Sequence, residues 1–265
     1  MDINKRFFII CLIWLVASYS IIFYCTLQNI IDLTIEDGFY ENLTAIFFAF
    51  ASIMFVYMYI RFREKNDLGI ITLNRNIFYL LLAIFFFMGM GEEISWGQRI
   101  FHFKPDGIFK SNLQHEVTIH NLAALNMQEL DKNHHLVDKK GIAKLFTITS
   151  MFHMFVVSYT MLLPLFCMNK NVRKLVRRIN IPYTSVLFGV LFAFNYLFKH
   201  LTFYIRPELR DLNYMDEIKE CNEALLFFVM SVSVFIYTKN KKAGGRNIVH
   251  REMGSMASLS GKATA

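Results

Sequence analysis

Six apolar runs decide what this chain can become: roughly 7–29, 43–61, 77–99, 145–168, 183–203 and 223–238. About 20 apolar residues cross a hydrocarbon core roughly 30 Å thick, and backbone groups there must be bonded within their own segment. The runs therefore predict membrane-spanning α-helices. The last is short, and the third has only the fifteen residues 77–91 before it meets Glu92. Hydrophobic residues make up 55% of the 265, with 28 Phe, which argues against an ordinary soluble domain. No small-residue cleavage site follows the first run, so it reads as a retained span. The expected fold is all-α and integral to the membrane, with about six spans in one transmembrane domain over 1–240. A cytoplasmic tail over 241–265, rich in Gly, Ser and Ala, is expected to be disordered.

A net charge of +7 would suggest nucleic acid in a soluble protein, but its distribution points to topology instead. With both termini inside, the inner segments hold 17 Lys/Arg and 4 Asp/Glu, and the outer ones 11 and 17. "RFREKNDLG" (61–69) and "NKNVRKLVRR" (169–178) are short basic loops of the cytoplasmic kind. The expectation is a multi-pass inner-membrane protein of bacterial type, with membrane lipids around it and no nucleic-acid partner. Cys11, Cys25, Cys167 and Cys221 show no metal spacing; Cys25 and Cys221 fall toward the outer side and could pair, or all four could be buried thiols.

The largest piece outside the runs is 100–144, on the outer side by this topology. Pro105, Asp106 and Gly107 mark a turn. Val117, Leu122, Leu125 and Leu130 then predict an amphipathic helix over 115–130 lying on the membrane surface, followed by the polar loop "DKNHHLVDKKG". There is no internal repeat and no pair of Gly/Pro-broken helices in mid-membrane.

The third run ends in "FMGMGEEISWGQRIF" (87–101). Glu92 lies seventeen residues beyond Arg75, about 25 Å along a helix axis, at or just below the outer boundary. Consecutive positions differ by about 100°, so Glu92 and Glu93 cannot both face one way. Gly89 and Gly91 would let another helix approach there. Other polar residues collect at the same level. They are His153 in the fourth run, Asn195, Lys199 and His200 in the fifth, and Glu36, Asp37 and Glu41 before the second. Asp216, Glu220 and Glu223 recur at i, i+4, i+7 and share one helical face. Ionisable groups at membrane depth are functional candidates by default. Each also has a plain structural reading: Glu93 paired with Arg99, Lys199 with a nearby acid, Trp96 as an interface anchor, and 216–223 as a solvated helix start.

"HEVTIH" (115–120) is one residue too long for the two-His zinc helix of metallopeptidases. Glu116 and His120, four apart, do share a face. With Glu92 they could hold a divalent metal or polarise a water, while any cofactor stays unspecified. "GEEISWGQRIF" and "NLQHEVTIHN" resemble a pattern in uncharacterised bacterial multi-pass membrane proteins. The paired Glu also resembles the glutamate-type intramembrane proteases that process CAAX proteins and bacteriocins. That family places an Arg four residues after the second Glu, then Phe-x-x-x-His and a later His. Here Arg99 falls six residues after Glu93, "YLFKH" has Tyr in place of Phe before His200, and His153 comes earlier. The resemblance implies a glutamate that activates water. Ceramidase-like hydrolases need a His-x-x-x-His that this chain lacks. Polyprenyl-phosphate sugar transferases also place acids in the first outer loop, as "IEDGFYE" does, but are larger.

The sequence is therefore read as a membrane-embedded hydrolase or transferase working at the outer leaflet on a lipid-linked or membrane-bound substrate. Glu92, Glu93, His153 and His200 are its expected catalytic groups. Glu36, Asp37, Glu41, Gln98, Arg99, Asn195, Lys199, Arg206, Glu220 and Glu223 would line the pocket. The alternatives are a proton- or cation-coupled carrier and a non-enzymatic assembly partner.

Overall fold

The computed structural model of the chain describes residues 3–35, 38–67, 72–102, 136–212 and 214–260, and between 103 and 135 only 104, 106, 107, 109, 117–119, 122, 125, 126 and 128–130. At 3, 99, 100, 128–130, 136–138, 211, 212 and 243–260 it describes the backbone alone. Five stretches are long and apolar enough to cross a membrane: Asn4–Tyr24, Leu27–Arg61, Ile148–Phe166, Val186–Ile205 and Tyr214–Lys242. They belong to α1 (Ile3–Tyr24), α2 (Leu27–Thr34) with α3 (Phe39–Arg61), a composite fourth helix, α10 (Val186–Ile205) and α11 (Tyr214–Ser260). The remaining apolar run forms α4 (Ile77–Glu93), 17 residues and about 25 Å long, packed along α3, and the one-turn helices α5 (Gln98–Phe101) and α6 (Ile142–Leu145) follow it in sequence. The protein is an all-α, multi-pass membrane protein, with five full-length apolar helices and this shorter one.

Its surface supports that reading. Ile9, Ile13, Phe50, Ile53, Ile84, Phe87, Met154 and Leu197 all stand exposed on their helices, an apolar girdle far larger than a water-soluble monomer carries. Inside, Phe48, Phe55, Phe86, Phe192 and Phe227 are almost wholly buried and pack ring against ring, with centroids 4.9–6.0 Å apart. Lipid tails are as apolar as Phe, so packing rather than expulsion of water holds such a core, each well-placed ring pair contributing about 0.5–1.5 kcal/mol. Gly89 serves this packing: a Cβ there would stand 3.2 Å from the Phe48 ring.

The composite helix runs through α7 (Ile148–Val156), a π-helical turn at Val157–Leu162 and α8 (Leu163–Phe166). Pro164 has no N–H to offer the Thr160 carbonyl, and the wider turn accommodates the mismatch. Gly189 of α10 sits against it so closely that a Cβ would lie 2.7 Å from the Thr160 oxygen. One span is thus broken at a proline, which the sequence reading did not single out.

The helices alternate in direction and define two ends. At one, α1, α4 and α10 finish and α3, α7 and α11 begin; Arg206 ties it together by donating from Nη1 to the carbonyls of Ile22 and Cys25 at 3.4 and 3.1 Å. This is the acidic end. The opposite, basic end carries α9 (Lys170–Arg178) and a short hairpin of β1 (Asn66–Asp67) with β2 (Thr72–Leu73). These two basic segments, read as loops, are ordered elements. Asn66 and Asn76, both fully buried, bind them to α4. Asn66 donates to the Ile179 carbonyl at 2.6 Å and accepts from the Ile77 N–H at 2.7 Å. Asn76 caps α4 through the Phe78 N–H and donates to the Asn180 carbonyl at 2.7 Å. Asn180, at φ 52°, returns a bond to the Lys65 carbonyl.

Three further expectations meet the structure. Within 100–144, β3 (Gln128–Leu130) pairs antiparallel with β4 (Leu136–Asp138), so the predicted surface helix does not reach residue 130. The four cysteines are all free thiols, and Cys25 and Cys221 do not pair. α11 extends to Ser260, but the side chains of the tail from 243 onward lie outside the described residues.

Candidate functional site at the acidic end

The motif GEEISWGQ folds back on itself just past α4. Ser95, Trp96 and Gly97 take left-handed φ values of 45°, 51° and 79° in succession. A bulky residue such as Trp in this region is uncommon and strained, and persists only where surroundings over-determine it. Here the surroundings are identifiable. The indole lies across Gly91, where a Cβ would stand 2.8 Å from its carbons, and meets Phe87 edge-on at 5.9 Å. Trp96 Nε1 donates to Glu92 Oε1 at 2.7 Å. The other oxygen, Oε2, accepts from the Ile119 N–H at 2.7 Å, and Gln98 Oε1 accepts from the Val117 N–H at 2.6 Å. The two stretches that stood out in sequence are therefore bonded to each other. Glu92 and Gln98 clamp the 117–119 backbone, which gives both a positioning part and leaves neither Glu92 oxygen uncommitted. Trp96 is the strap of this clamp and not a simple interface anchor.

Glu93, turned about 100° away, faces other helices. The carboxyl groups of Glu220, Glu217, Glu41 and Glu92 lie within its electrostatic reach, in that order of influence. Among the described residues Glu93 has no hydrogen-bond or ion-pair partner. Acids from α3, α4 and α11 thus gather at one place, the convergence the sequence pattern predicted.

One turn along α11 lies a buried cation that the sequence reading passed over. Lys219, 2% exposed, stands 3.6 Å from Asp216, 3.5 Å from Glu220 and 3.4 Å from His153 Nε2, with the Tyr196 ring 5.8 Å away. Lys199 pairs with Asp216 and lies over Phe203. Glu223, 1% exposed, has Oε2 buried without a hydrogen-bond partner. Behind it an amide network is complete. Asn195 donates to the Lys219 carbonyl at 2.9 Å and accepts from Tyr19 at 2.9 Å. Asn222 accepts from Trp14 at 2.9 Å and donates to Ser18 and Asn195 at 3.0 and 3.1 Å. This network joins α1, α10 and α11 and holds the acidic face of α11 in register.

Not every expected residue joins the site. His200 is exposed on α10, between Tyr196 and Phe203, with no hydrogen bond or ion pair to the acids of α11 among the described residues. Arg206 closes the end of α1 and pairs with Glu208 at 2.7 Å, a structural part; that guanidinium holds the Glu208 carboxyl below its ordinary range. Glu36, Asp37, Glu116 and His120, and the side chain of Arg99, lie outside the described residues, and with them the Glu92–Glu116–His120 metal set. Among the described residues no three His, Cys, Asp or Glu side chains are placed to hold a metal ion. Of the missed residues, Ser18 and Tyr19 had one usable signal, as polar groups interrupting an apolar run, while Lys219 and Asn222 lie in the polar stretch DEIKECNE and had none.

Compared with protein-family models, curated proteins and solved structures, the chain matches none.

Proposed function

We propose that this is an inner-membrane protein with its basic end in the cytoplasm and its acidic end at the outer leaflet. There it acts as a membrane-embedded hydrolase or transferase on an amphiphilic, lipid-linked substrate. The basic segments around α9 and β1–β2 support the orientation. The observation that carries the reaction class is Glu93 among carboxylates of α3 and α11, one of which, Glu220, stands 3.5 Å from the Lys219 of a buried Lys219–His153 pair. A carboxylate kept from cationic partners can take a proton from water or a hydroxyl, and Lys219 can steady the negative charge that develops on the attacked group. Glu220 relates the two halves, within the electrostatic reach of Glu93 and 3.5 Å from Lys219. Glu92 and Gln98 position the 117–119 segment over this place.

The carrier alternative fits less well. Below Glu223 the core is the Phe stack around Phe227, and α11 offers only Ser231, Ser233 and the outward-facing Tyr237 before Thr238 at the basic end. A proton or cation has no ladder of titratable groups to follow there, whereas a substrate entering from one end needs none.

The test is mass spectrometry of the lipid fraction from cells producing the wild type or Glu93→Gln. A lipid-linked species that builds up with the variant supports the reading. Identical lipid profiles contradict it.

A further inference from the structure

Positive charge at the basic end exceeds what the fold uses. The stretches 61–67, 170–178 and 239–242, with Arg75, carry 12 Lys/Arg against two acids, Glu64 and Asp67. Both acids are already engaged. Arg178 Nε stands 3.1 Å from Asp67, and Lys241 lies 3.5 Å from Glu64, which also accepts from Tyr79 at 3.0 Å. Five of the cations belong to α9, a helix of nine residues with no acid in its first turn. At about 100° per residue, all five fall within one arc of about 140°, while Val172 and Val176 lie on the other side. Val176 is buried and seats the helix on the bundle. Positive charge in a loop suffices to fix topology; its collection on one face of an ordered helix is a further property.

Two of the five serve the protein itself. Arg173 donates to the carbonyls of Cys167 and Met168 at 2.7 and 3.0 Å and so holds α9 against the end of α8, while Arg178 meets Asp67. Lys170, Lys174 and Arg177 are exposed and recur at i, i+4, i+7. Lys170 and Lys174 have no hydrogen-bond or ion-pair partner among the described residues. Like charges one turn apart cost a helix stability, and an ammonium in the first turn opposes the helix dipole, so folding does not explain this pair. Only residues 167–169 separate α9 from α8, where a membrane-spanning stretch ends. Leu162, Leu165 and Phe166 stand exposed there, as does Leu175 on α9. Cations and lipid-facing apolar side chains thus meet at the level where phosphates of a leaflet lie.

We propose that α9 is a binding face for an anionic phospholipid, whose phosphate is held by Lys170, Lys174 and Arg177 while its acyl chains lie against the exposed apolar residues at the end of α8. Phospholipids with a zwitterionic head are disfavoured, because their own ammonium cancels the charge the face attracts.

The experiment uses the full chain, equilibrated with vesicles of phosphatidylglycerol, phosphatidylethanolamine and phosphatidylcholine in equal parts, then extracted with its bound lipid for native mass spectrometry. Phosphatidylglycerol should be retained about tenfold over the other two, as expected for two lysines at a leaflet surface. Lys170→Gln/Lys174→Gln should bring the three lipids to parity, and Lys170→Arg/Lys174→Arg, which keeps the charge, should keep the preference. The matched control is Lys5→Gln/Arg6→Gln, which removes the same charge from the start of α1 at the same end and should leave the preference intact. If the control erases it as fully, anionic lipid is drawn by overall charge and the face on α9 falls. Equal retention of all three lipids, a preference for either zwitterionic one, or a preference untouched by the Gln pair also overturns the proposal. So does displacement of phosphatidylglycerol by free glycerol phosphate, since the face then takes a soluble anion. Parity among the lipids with Lys170 and Lys174 shielded from amine labelling in native membranes would give the face to a protein partner instead, and overturn the lipid assignment.

Discussion

The buried asparagines of the basic end and the buried carboxylates of the acidic end are handled in opposite ways, although Thr184 Oγ1 at the basic end is also buried without a hydrogen-bond partner. At the basic end Asn66, Asn76 and Asn180 answer one another and the neighbouring backbone, bond for bond. At the acidic end, among the described residues, Glu93 has no hydrogen-bond or ion-pair partner and Glu223 Oε2 is buried without a hydrogen bond, and three residues in a row are held in left-handed conformations. A polar group that exists to fix the fold is satisfied in the resting protein. One that exists to meet a substrate has to be kept waiting, at a cost in stability. The Asn195–Asn222 network belongs to the first kind although it adjoins the second, which places the boundary between scaffold and site within one turn of α11.

Variants can break or sharpen this contrast. The largest effect is expected at the basic end, where Asn76→Ala removes the cap of α4 and strands Asn66 and the Asn180 carbonyl. A loss of about 3 kcal/mol should follow, read by thermal unfolding in detergent micelles. A melting temperature within error of wild type would mean that the asparagines do not hold this end. Next comes Gly91→Ala. The added methyl would sit 2.8 Å from the Trp96 ring, so the strap must lift away from Glu92, at about 1–3 kcal/mol and with a shift in tryptophan emission. Unchanged emission would show that Trp96 is not seated there.

Glu223→Gln should move stability by less than about 1 kcal/mol, because Lys219 keeps Asp216 and Glu220 beside it, while reproducing the lipid build-up expected of Glu93→Gln. A loss above about 2 kcal/mol would turn Glu223 into a structural residue. The smallest effect belongs to Glu208, whose carboxyl is held low by Arg206. A depressed folded-state value contributes stability above the unfolded pKa of about 4.3, and that contribution disappears as pH falls through the folded value. Glu208→Gln should therefore melt slightly below wild type at neutral pH and together with it near pH 3; a gap that widens on acidification would reverse the sign.

Much of the fold was legible because hydropathy sums over some twenty residues, and a few polar exceptions do not erase such a signal. α4 is the borderline case, since its apolar stretch stops at Glu92 and yields a helix of 17 residues. The acidic face of α11 was legible from the spacing of Asp216, Glu220 and Glu223. Lys219 was not, because it differs from its surroundings only by facing inward, which depends on the packing of α7 and α10. The partners of Glu92 were illegible for a similar reason. That its oxygens go to Trp96 and the Ile119 N–H depends on a backward-folding turn whose left-handed Ser95 and Trp96 no propensity would suggest. The surface helix expected over 115–130 rested on four apolar positions, too few to compete with the pairing that β3 and β4 make.

The most direct test of a working site at the acidic end is the bilayer folding stability of the double variant Glu93→Gln/Glu220→Gln, measured on the same preparations whose lipids are profiled. Carboxylates placed close together repel, so relieving that repulsion should leave the variant as stable as wild type or more so, while its lipid-linked product disappears. A variant that loses more than about 2 kcal/mol, with its lipid profile unchanged, would show that these acids support the fold and perform no chemistry.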